Sequence, residues 1–516
     1  MGETQEKRLG LLEQGEMEVD SDSTLNEDDR PPTPVAKTRA QLAQLLEFGA
    51  SRVAMLRPSF LQVKTTKTTK LRRTAYLDGI RGFASLLVYC LHHQLWAHAI
   101  QGGSIKLENT WGWDGEYYLG AFPFIRTFFT GGHYAVAVFF VLSGYVLAYK
   151  PLTLIQAGEH LALGDALASG LFRRWLRLYL PILAVTFGFL LMPHLFGVSS
   201  DFRPQSTLGA EIWKWYCDLK NFTFIWNMGG EIILDYQKHV WSIPVEMRGS
   251  ITIWTAVLAF SRCTKNARLT CEALLVFYLM YIVDGAHFAM FTAGMLLCDL
   301  DLLAHDGKLP KWMYSLEPYK IPLAYVAFVV SMLLGGIPSN SVELEHMRKS
   351  PGWYYLSFLK PQAVFDYRWF FLFWASVLMV WCSGRLGWLK RFFESRFCQY
   401  LGRISYMFYL MHGPVLWLVG DRIYAAVGWV NFSHALTIPG WADTFRLPKW
   451  GPFGLEVSFI IPQLLLFPLT CWMAELMTAV VDDPSIKFAA YCYSLTQPKK
   501  DLPSSSPSRG NNERKA

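Results

Sequence analysis

The stretch Tyr76-Leu-Asp-Gly-Ile-Arg-Gly-Phe-Ala-Ser-Leu-Leu-Val-Tyr-Cys-Leu-His-His93 decides how this chain is read. It is apolar and long enough to enter a bilayer, yet it carries Asp78, Arg81, His92 and His93. Ionisable groups at membrane depth are costly and are kept for function. Arg81 and His92 are eleven residues apart. At about 100° and about 1.5 Å per residue, that is three turns plus roughly 20°, and a rise of about 16 Å. The two side chains therefore share one helix face at two depths. A guanidinium near the surface and an imidazole deeper in predict a channel with chemistry at its inner end.

Composition points the same way. The chain has 516 residues, 52% hydrophobic, 16% aromatic and 17% charged, against about 25% charge in soluble proteins. This is the composition of a multi-pass membrane protein with aromatic interfacial belts. The net charge of +7 is modest and lies mostly in short loops, which argues against nucleic acid as a partner. Nine cysteines form no CxxC or CxxH group, so neither a disulfide framework nor a metal site is expected. Residues 1–25 are acidic and polar, so no cleavable signal peptide is expected either.

Residues 1–73 read as a cytosolic tail, disordered at first. A leucine-rich amphipathic stretch over 37–62 would lie on the membrane surface or pack on the protein itself. The membrane body is expected over 74–490, and a second disordered cytosolic tail over 491–516. Hydropathy and length place about ten spanning helices, roughly at 79–100, 131–149, 178–198, 241–260, 269–283, 286–302, 320–337, 367–383, 403–420 and 453–480. The fold class is thus an all-α polytopic membrane helix bundle. Short basic loops holding Arg173, Arg174 and Arg177, then Arg262, Lys265 and Arg268, then Arg385, Lys390 and Arg391, put both termini in the cytosol. The two N-x-S/T sequons, at Asn221 and Asn431, fall in loops assigned to the far side and are candidate glycosylation acceptors. The endoplasmic reticulum or the plasma membrane would suit such a topology.

Four groups of residues carry potential chemistry. The first is the Arg81 and His92 face, beside Asp78 and His93. The second is Phe172-Arg-Arg-Trp-Leu-Arg-Leu-Tyr-Leu-Pro181, where Arg174 and Arg177 are neighbours on a helix at the cytosolic side. They form either a positive-inside anchor or an anion clamp, since guanidinium forks grip phosphates. The third is Val240-Trp-Ser-Ile-Pro-Val-Glu-Met-Arg-Gly249, which places Glu246 about 8 Å below the far surface, approaching the depth of His92. An ion pair with Arg248 is its structural alternative. The fourth is Tyr400-Leu-Gly-Arg-Ile-Ser-Tyr-Met-Phe-Tyr-Leu-Met-His-Gly-Pro414, in which Tyr406, Tyr409 and His412 share a face. His92, Glu246 and His412 are expected at overlapping depths, with the arginines above them toward the cytosol.

These motifs, in this order, resemble those of the acyltransferase 3 family of integral-membrane acyltransferases. Arg81 and His92 match its Arg-x10-His signature, and Phe139-Phe-Val-Leu-Ser-Gly144, which contains Ser143, is similar to its second-helix motif. Arg174-Trp-Leu-Arg177 matches its Arg-x-x-Arg, and Trp241-Ser-Ile-Pro-Val-Glu246 is similar to its Trp-Ser-Leu-x-x-Glu. Leu401 to His412 matches a late-helix motif, and Asp483-Pro-Ser-Ile486 resembles its closing boundary. Ile243-Pro244 before Glu246, and Met247-Arg248 after it, look like the variant of filamentous fungi. The resemblance implies O-acyl transfer from acyl-CoA, a co-substrate rather than a bound cofactor, to a hydroxyl on a sugar, a lipid or a secondary metabolite. It implies His92 as general base, Glu246 and His412 in the same catalytic site, and Arg81, Arg174 and Arg177 as holders of the donor's phosphates. Asp78, His93, Ser143, Trp241, Tyr406 and Tyr409 would support them. A covalent acyl-histidine is an alternative chemistry. A proton-coupled transporter of a small polar or anionic solute is the rival class, because buried His, Glu and Arg also make proton relays.

Overall fold

Helices carry the entire fold, because backbone polar groups inside a bilayer must be satisfied within their own segment. The computed structural model describes residues 71–198, 200–226, 233–430 and 438–498. Among them there is no β-strand, only an isolated bridge between Leu234 and Gln237. The main helices are α1 (Ala75–Ala97), α2 (Gly132–Ala157), α3 (His160–Phe196), α4 (Leu208–Thr223), α5 (Ser242–Phe260), α6 (Lys265–Phe277) and α7 (Ala286–His305). They continue as α8 (Lys320–Leu334), α9 (Tyr367–Ser383), α10 (Gly387–Phe393), α11 (Arg396–Val415), α12 (Asp421–Val427), α13 (Val457–Met477) and α14 (Asp483–Thr496). Their ends follow local chemistry. Ser395 caps α11 by accepting the Cys398 N–H at 3.4 Å, and α2 stops at Gly158, whose φ of 77° is the left-handed conformation of a helix C-terminus.

All ten predicted segments are helical, but the count of spans differs. Among the described residues five helices are long and apolar enough to cross a membrane: Gly132–Ala157, His160–Phe196, Ala286–His305, Glu317–Leu334 and Val457–Thr496. A sixth is added if α9 and α10, bent by 97° at their junction, form one span. Helices α1, α5 and α11 fall short because they carry the arginines, histidines and glutamate picked out above, and α6 is only 13 residues long. The C-terminal boundary also moves, since α14 runs to Thr496 rather than ending near 490. Phe172 of α3 packs on its Tyr493, with ring centroids 5.4 Å apart. The surface stretch 37–62 and Asn431 lie outside the described residues, whereas Asn221 is exposed on the last turn of α4.

Of the helix contacts close enough to be backbone to backbone, two set the frame of the bundle. Helices α1 and α11 run parallel. A β-carbon on Gly82 would lie 2.3 Å from the Gly402 nitrogen, and one on Gly402 would lie 2.5 Å from the Asp78 carbonyl oxygen. Helices α2 and α7 meet through Gly144 and Gly294, where a β-carbon would lie 1.9 Å from the Phe291 oxygen and 2.0 Å from the Val141 oxygen, respectively. Small residues at such crossings are the usual basis of helix association in membranes. Polar groups add to it: Tyr134 of α2 donates to Ser331 of α8 at 2.9 Å, and Ser331 donates to the Ala375 carbonyl of α9 at 2.6 Å.

The basic loops are partly consumed by internal pairing. Arg268 donates twice to Asp299, at 2.7 and 2.9 Å, with both side chains almost fully buried, and Gln156 donates to the same carboxylate. Arg385 pairs with Asp301 at 2.9 Å. These two arginines tie helix ends together rather than serving only as surface anchors.

Gly402→Val is expected to wedge α1 from α11 and cost about 1–3 kcal/mol, as overpacking does. The check is a thermal melt in detergent followed by size exclusion, and an unchanged midpoint would show that the two helices do not touch as described.

Candidate active site

The parallel α1–α11 contact sets the register of the histidines. With Gly82 against Gly402, His92 and His412, about 15 Å further along each helix, come level. The Nδ1 of His92 lies 2.9 Å from Nε2 of His412. The His412 ring is buried and faces the backbone of Tyr409 and Phe408, one turn back in α11. In the tautomer pairing that lets His412 accept at Nε2, His92 donates from Nδ1. The lone pair of His92 is thereby placed on Nε2, since the partner of one ring nitrogen determines the state of the other.

A third imidazole completes the group. His239 sits in a single 3₁₀ turn, Lys238–Trp241, immediately before α5. Its ring stacks on His92 with centroids 3.6 Å apart and 16° between planes, and it lies 4.8 Å from His412. Its other neighbour is Trp417, at 4.9 Å, in the π-helical turn Leu416–Gly420 that follows α11. The Tyr409 hydroxyl donates to the His239 carbonyl and accepts from Ser242 at 2.9 Å. Gln237 donates from Nε2 to the Leu410 carbonyl at 2.7 Å. The chain before α5 therefore dips to the level of His412 instead of starting its helix at the surface.

That dip corrects the expected place of Glu246. It lies seven residues beyond His239, about 10 Å nearer the arginine end. There it accepts from Arg174 and from Ser143 of α2, and Arg174 also donates to Ser250 at 2.9 Å. Glu246 bonds neither histidine, and its partner is Arg174 rather than Arg248. Sequence reasoning missed His239 because it fell outside the assumed helix. The usable signal was its spacing of seven from Glu246, which puts both on one face if the helical path starts earlier.

The remaining residues divide between the arginine end and the supporting frame. Arg81 donates to the Gly402 carbonyl at 3.1 Å and pairs with Asp78 at 3.1 Å, which also meets Arg72 at 3.4 Å. Arg177 stands among Arg174, Arg173, Arg81 and Asp482, and makes no hydrogen bond or ion pair among the described residues. Of the three arginines, it alone keeps its donors uncommitted, while Arg174 is held by Glu246 and so is not the free clamp expected. Tyr406 donates to the Leu178 carbonyl at 2.5 Å and fastens α11 to α3. Trp241 packs on Trp369 and His287, with centroids at 5.8 and 6.2 Å. His93 turns away from the site: its Nδ1 meets the Tyr424 hydroxyl at 2.7 Å and its ring stacks on Tyr89.

Each of His92, His239 and His412 offers a ring nitrogen within 4.8 Å of the others, a group able to hold a metal ion where none was expected. The arrangement nonetheless suits a proton better. Two nitrogens bound about 2.0 Å from a tetrahedral ion stand roughly 3.3 Å apart with converging ring planes. Here the bonded pair is at 2.9 Å and all three rings lie within 16° of parallel. Two positive charges about 4 Å apart repel by roughly 4 kcal/mol at an effective dielectric of 20, so the stack accommodates one proton at a time.

Glu246→Gln is expected to strand the part-buried Arg174 charge and cost about 3–5 kcal/mol, whereas Glu246→Gln with Arg174→Met recovers most of that loss. Melting midpoints of the two variants decide this; equal losses would mean that the pair is not the source.

Residues 74–471 match the Acyl_transf_3 family, described as an acyltransferase domain. The chain is 28% identical over 483 residues to O-acetyltransferase PaAT-1 of Phomopsis amygdali, an alignment spanning 86% of this chain and 89% of the relative. Acyltransferase clz18 of Cochliobolus lunatus and acyltransferase R4 of a Phoma species are each 22% identical, spanning 83% of this chain and 97% of theirs. No solved structure matches. The match runs from the start of α1 into α13, and the protein belongs to the acyltransferase 3 family, whose reaction class is the transfer of acyl groups other than aminoacyl groups.

Proposed function

We propose that this protein is a membrane-embedded O-acyltransferase that takes an acyl group from an acyl-CoA at the cytosolic side and passes it to a hydroxyl-bearing sugar, lipid or secondary metabolite. The observation that carries the reading is the 2.9 Å pairing of His92 Nδ1 with His412 Nε2, which with His92 as donor leaves its Nε2 as the base. The same α1 face ends at the arginine group, where Arg177 has donors to spare for the carrier's phosphates. The acceptor's hydroxyl gives its proton to His92 as its oxygen bonds to the thioester carbonyl carbon. The carbon–sulfur bond then breaks, and the thiolate takes the proton back from His92, leaving an ester and free coenzyme. The O-acetyltransferase relative supports oxygen as the acceptor atom and a short acyl group.

In this reading the ten helical segments cross the bilayer with both termini in the cytosol, on the basic-loop pattern. His412 is a positioning residue, which sets the His92 tautomer. Glu246 and Arg174 hold α2, α3 and α5 together between the two ends of the site.

Comparing metabolites of a strain lacking the gene with its parent identifies the acceptor, which is then supplied with labelled acyl-CoA to the purified protein. His92→Ala is expected to lower turnover at least about 100-fold, the usual contribution of a general base. Full turnover by folded His92→Ala, or movement of an intact solute into proteoliposomes without acyl transfer, defeats the proposal. Arg177→Gln is expected to raise KM for acyl-CoA about tenfold, the loss of roughly 1.4 kcal/mol in binding, with kcat little changed. An unaltered KM would remove Arg177 from the donor site.

A further inference from the structure

When a hydroxyl adds to a thioester, negative charge gathers on the carbonyl oxygen, and one donor already aimed there is worth about 10²–10³ in rate. We propose that His239 is that donor and hence a second catalytic residue: its Nε2–H holds the carbonyl oxygen while His92 Nε2 takes the acceptor's proton. The inference rests on the acyl-CoA reading of the same site.

Two observations carry it. First, the two rings point the same way. His92 directs Nδ1 at His412, and His239 directs Nδ1 at the next residue of α11, where a β-carbon on Gly413 would lie 3.0 Å from it. With both Nδ1 edges toward α11 and the ring planes 16° apart, both Nε2 edges face away from it, side by side. Second, among the described residues neither Nε2 has a hydrogen-bond partner or is a buried orphan, and both residues are only partly buried, unlike His412. For this role the ring carries its one proton on Nε2, with Nδ1 as the buried nitrogen that has no partner among the described residues. The donor is also preorganised. Trp417 and His92 hold its two faces, and Tyr409 bonds its backbone carbonyl.

The step balances without any further reactant. The acceptor O–H bond breaks toward His92, the new C–O bond forms, and the oxyanion is held by His239. Collapse expels the coenzyme thiolate, which is protonated by His92, and both rings return to their starting state.

The test uses the full chain in nanodiscs with acetyl-, butyryl- and palmitoyl-CoA, water or glycerol as surrogate acceptor, and thiol release as the readout. His239→Phe preserves the stack but not the donor, and is expected to lower kcat about 100-fold while KM for the acyl-CoA stays within about threefold. His239→Asn restores an N–H and is expected to recover about tenfold of that loss. The proposal is overturned if His239→Phe keeps kcat within about threefold of the unaltered protein, or if Asn rescues nothing and KM rises as kcat falls, the pattern of a merely structural residue. If the Phe variant fails to fold, the Asn variant alone decides, by the same split of kcat from KM. The underlying reading is tested separately: no thiol release by the unaltered protein, or full release by His92→Ala, defeats it whatever the His239 variants do.

Discussion

Everything at the site depends on two parallel helices touching at their backbones. Gly82 of α1 and Gly402 of α11 leave no room for a β-carbon between them. That contact sets the axial register, and the register sets a nitrogen-to-nitrogen distance of 2.9 Å ten residues away on each helix. Helices are stiff enough that a fixed contact near one end determines which side chains meet further along. The glycines of the short motifs Asp-Gly-Ile-Arg-Gly and Leu-Gly-Arg are therefore part of the chemistry, although neither touches it. Arg81 closes the same contact from the side by donating to the Gly402 carbonyl.

The polar groups inside the bundle fall into separate networks with different duties. His92, His239 and His412 form a stack of imidazoles suited to holding a single added proton. Glu246, Arg174, Ser143 and Ser250 form a satisfied charged knot that joins three helices. His93, Tyr424, Gln463 and Tyr89 form a third, on the side of α1 turned toward α12 and α13. Neighbours in sequence, His92 and His93 serve different networks because a step of about 100° sends them to different faces.

Much of the fold was legible from composition and hydropathy, and all ten segments expected to be helical are so. The number able to cross on apolarity alone was not, because the groups that give α1, α5 and α11 their chemistry also lower their hydropathy. Within the site, the Arg81 to His92 face and the approach of His412 could be read from helical periodicity. The depth of Glu246 could not, since it depended on where the chain enters α5, and a 3₁₀ turn at depth leaves no periodic trace. The pairing of Arg174 with Glu246 was equally hidden: spacing shows which residues share a face, not which face of another helix meets it. His239 was lost for the same reason as Glu246 was misplaced.

The separation of about 16 Å between the Arg81 turn and His92 along α1 acts as a ruler. On the proposed reading, a donor gripped by its charge at the arginine end reaches the imidazoles only if a long neutral arm separates that charge from the acyl carbon. An acyl phosphate, whose reactive carbon lies next to its negative oxygens, would be stranded at the mouth. On the proposed donor reading, discrimination between donors is written into the length of one helix.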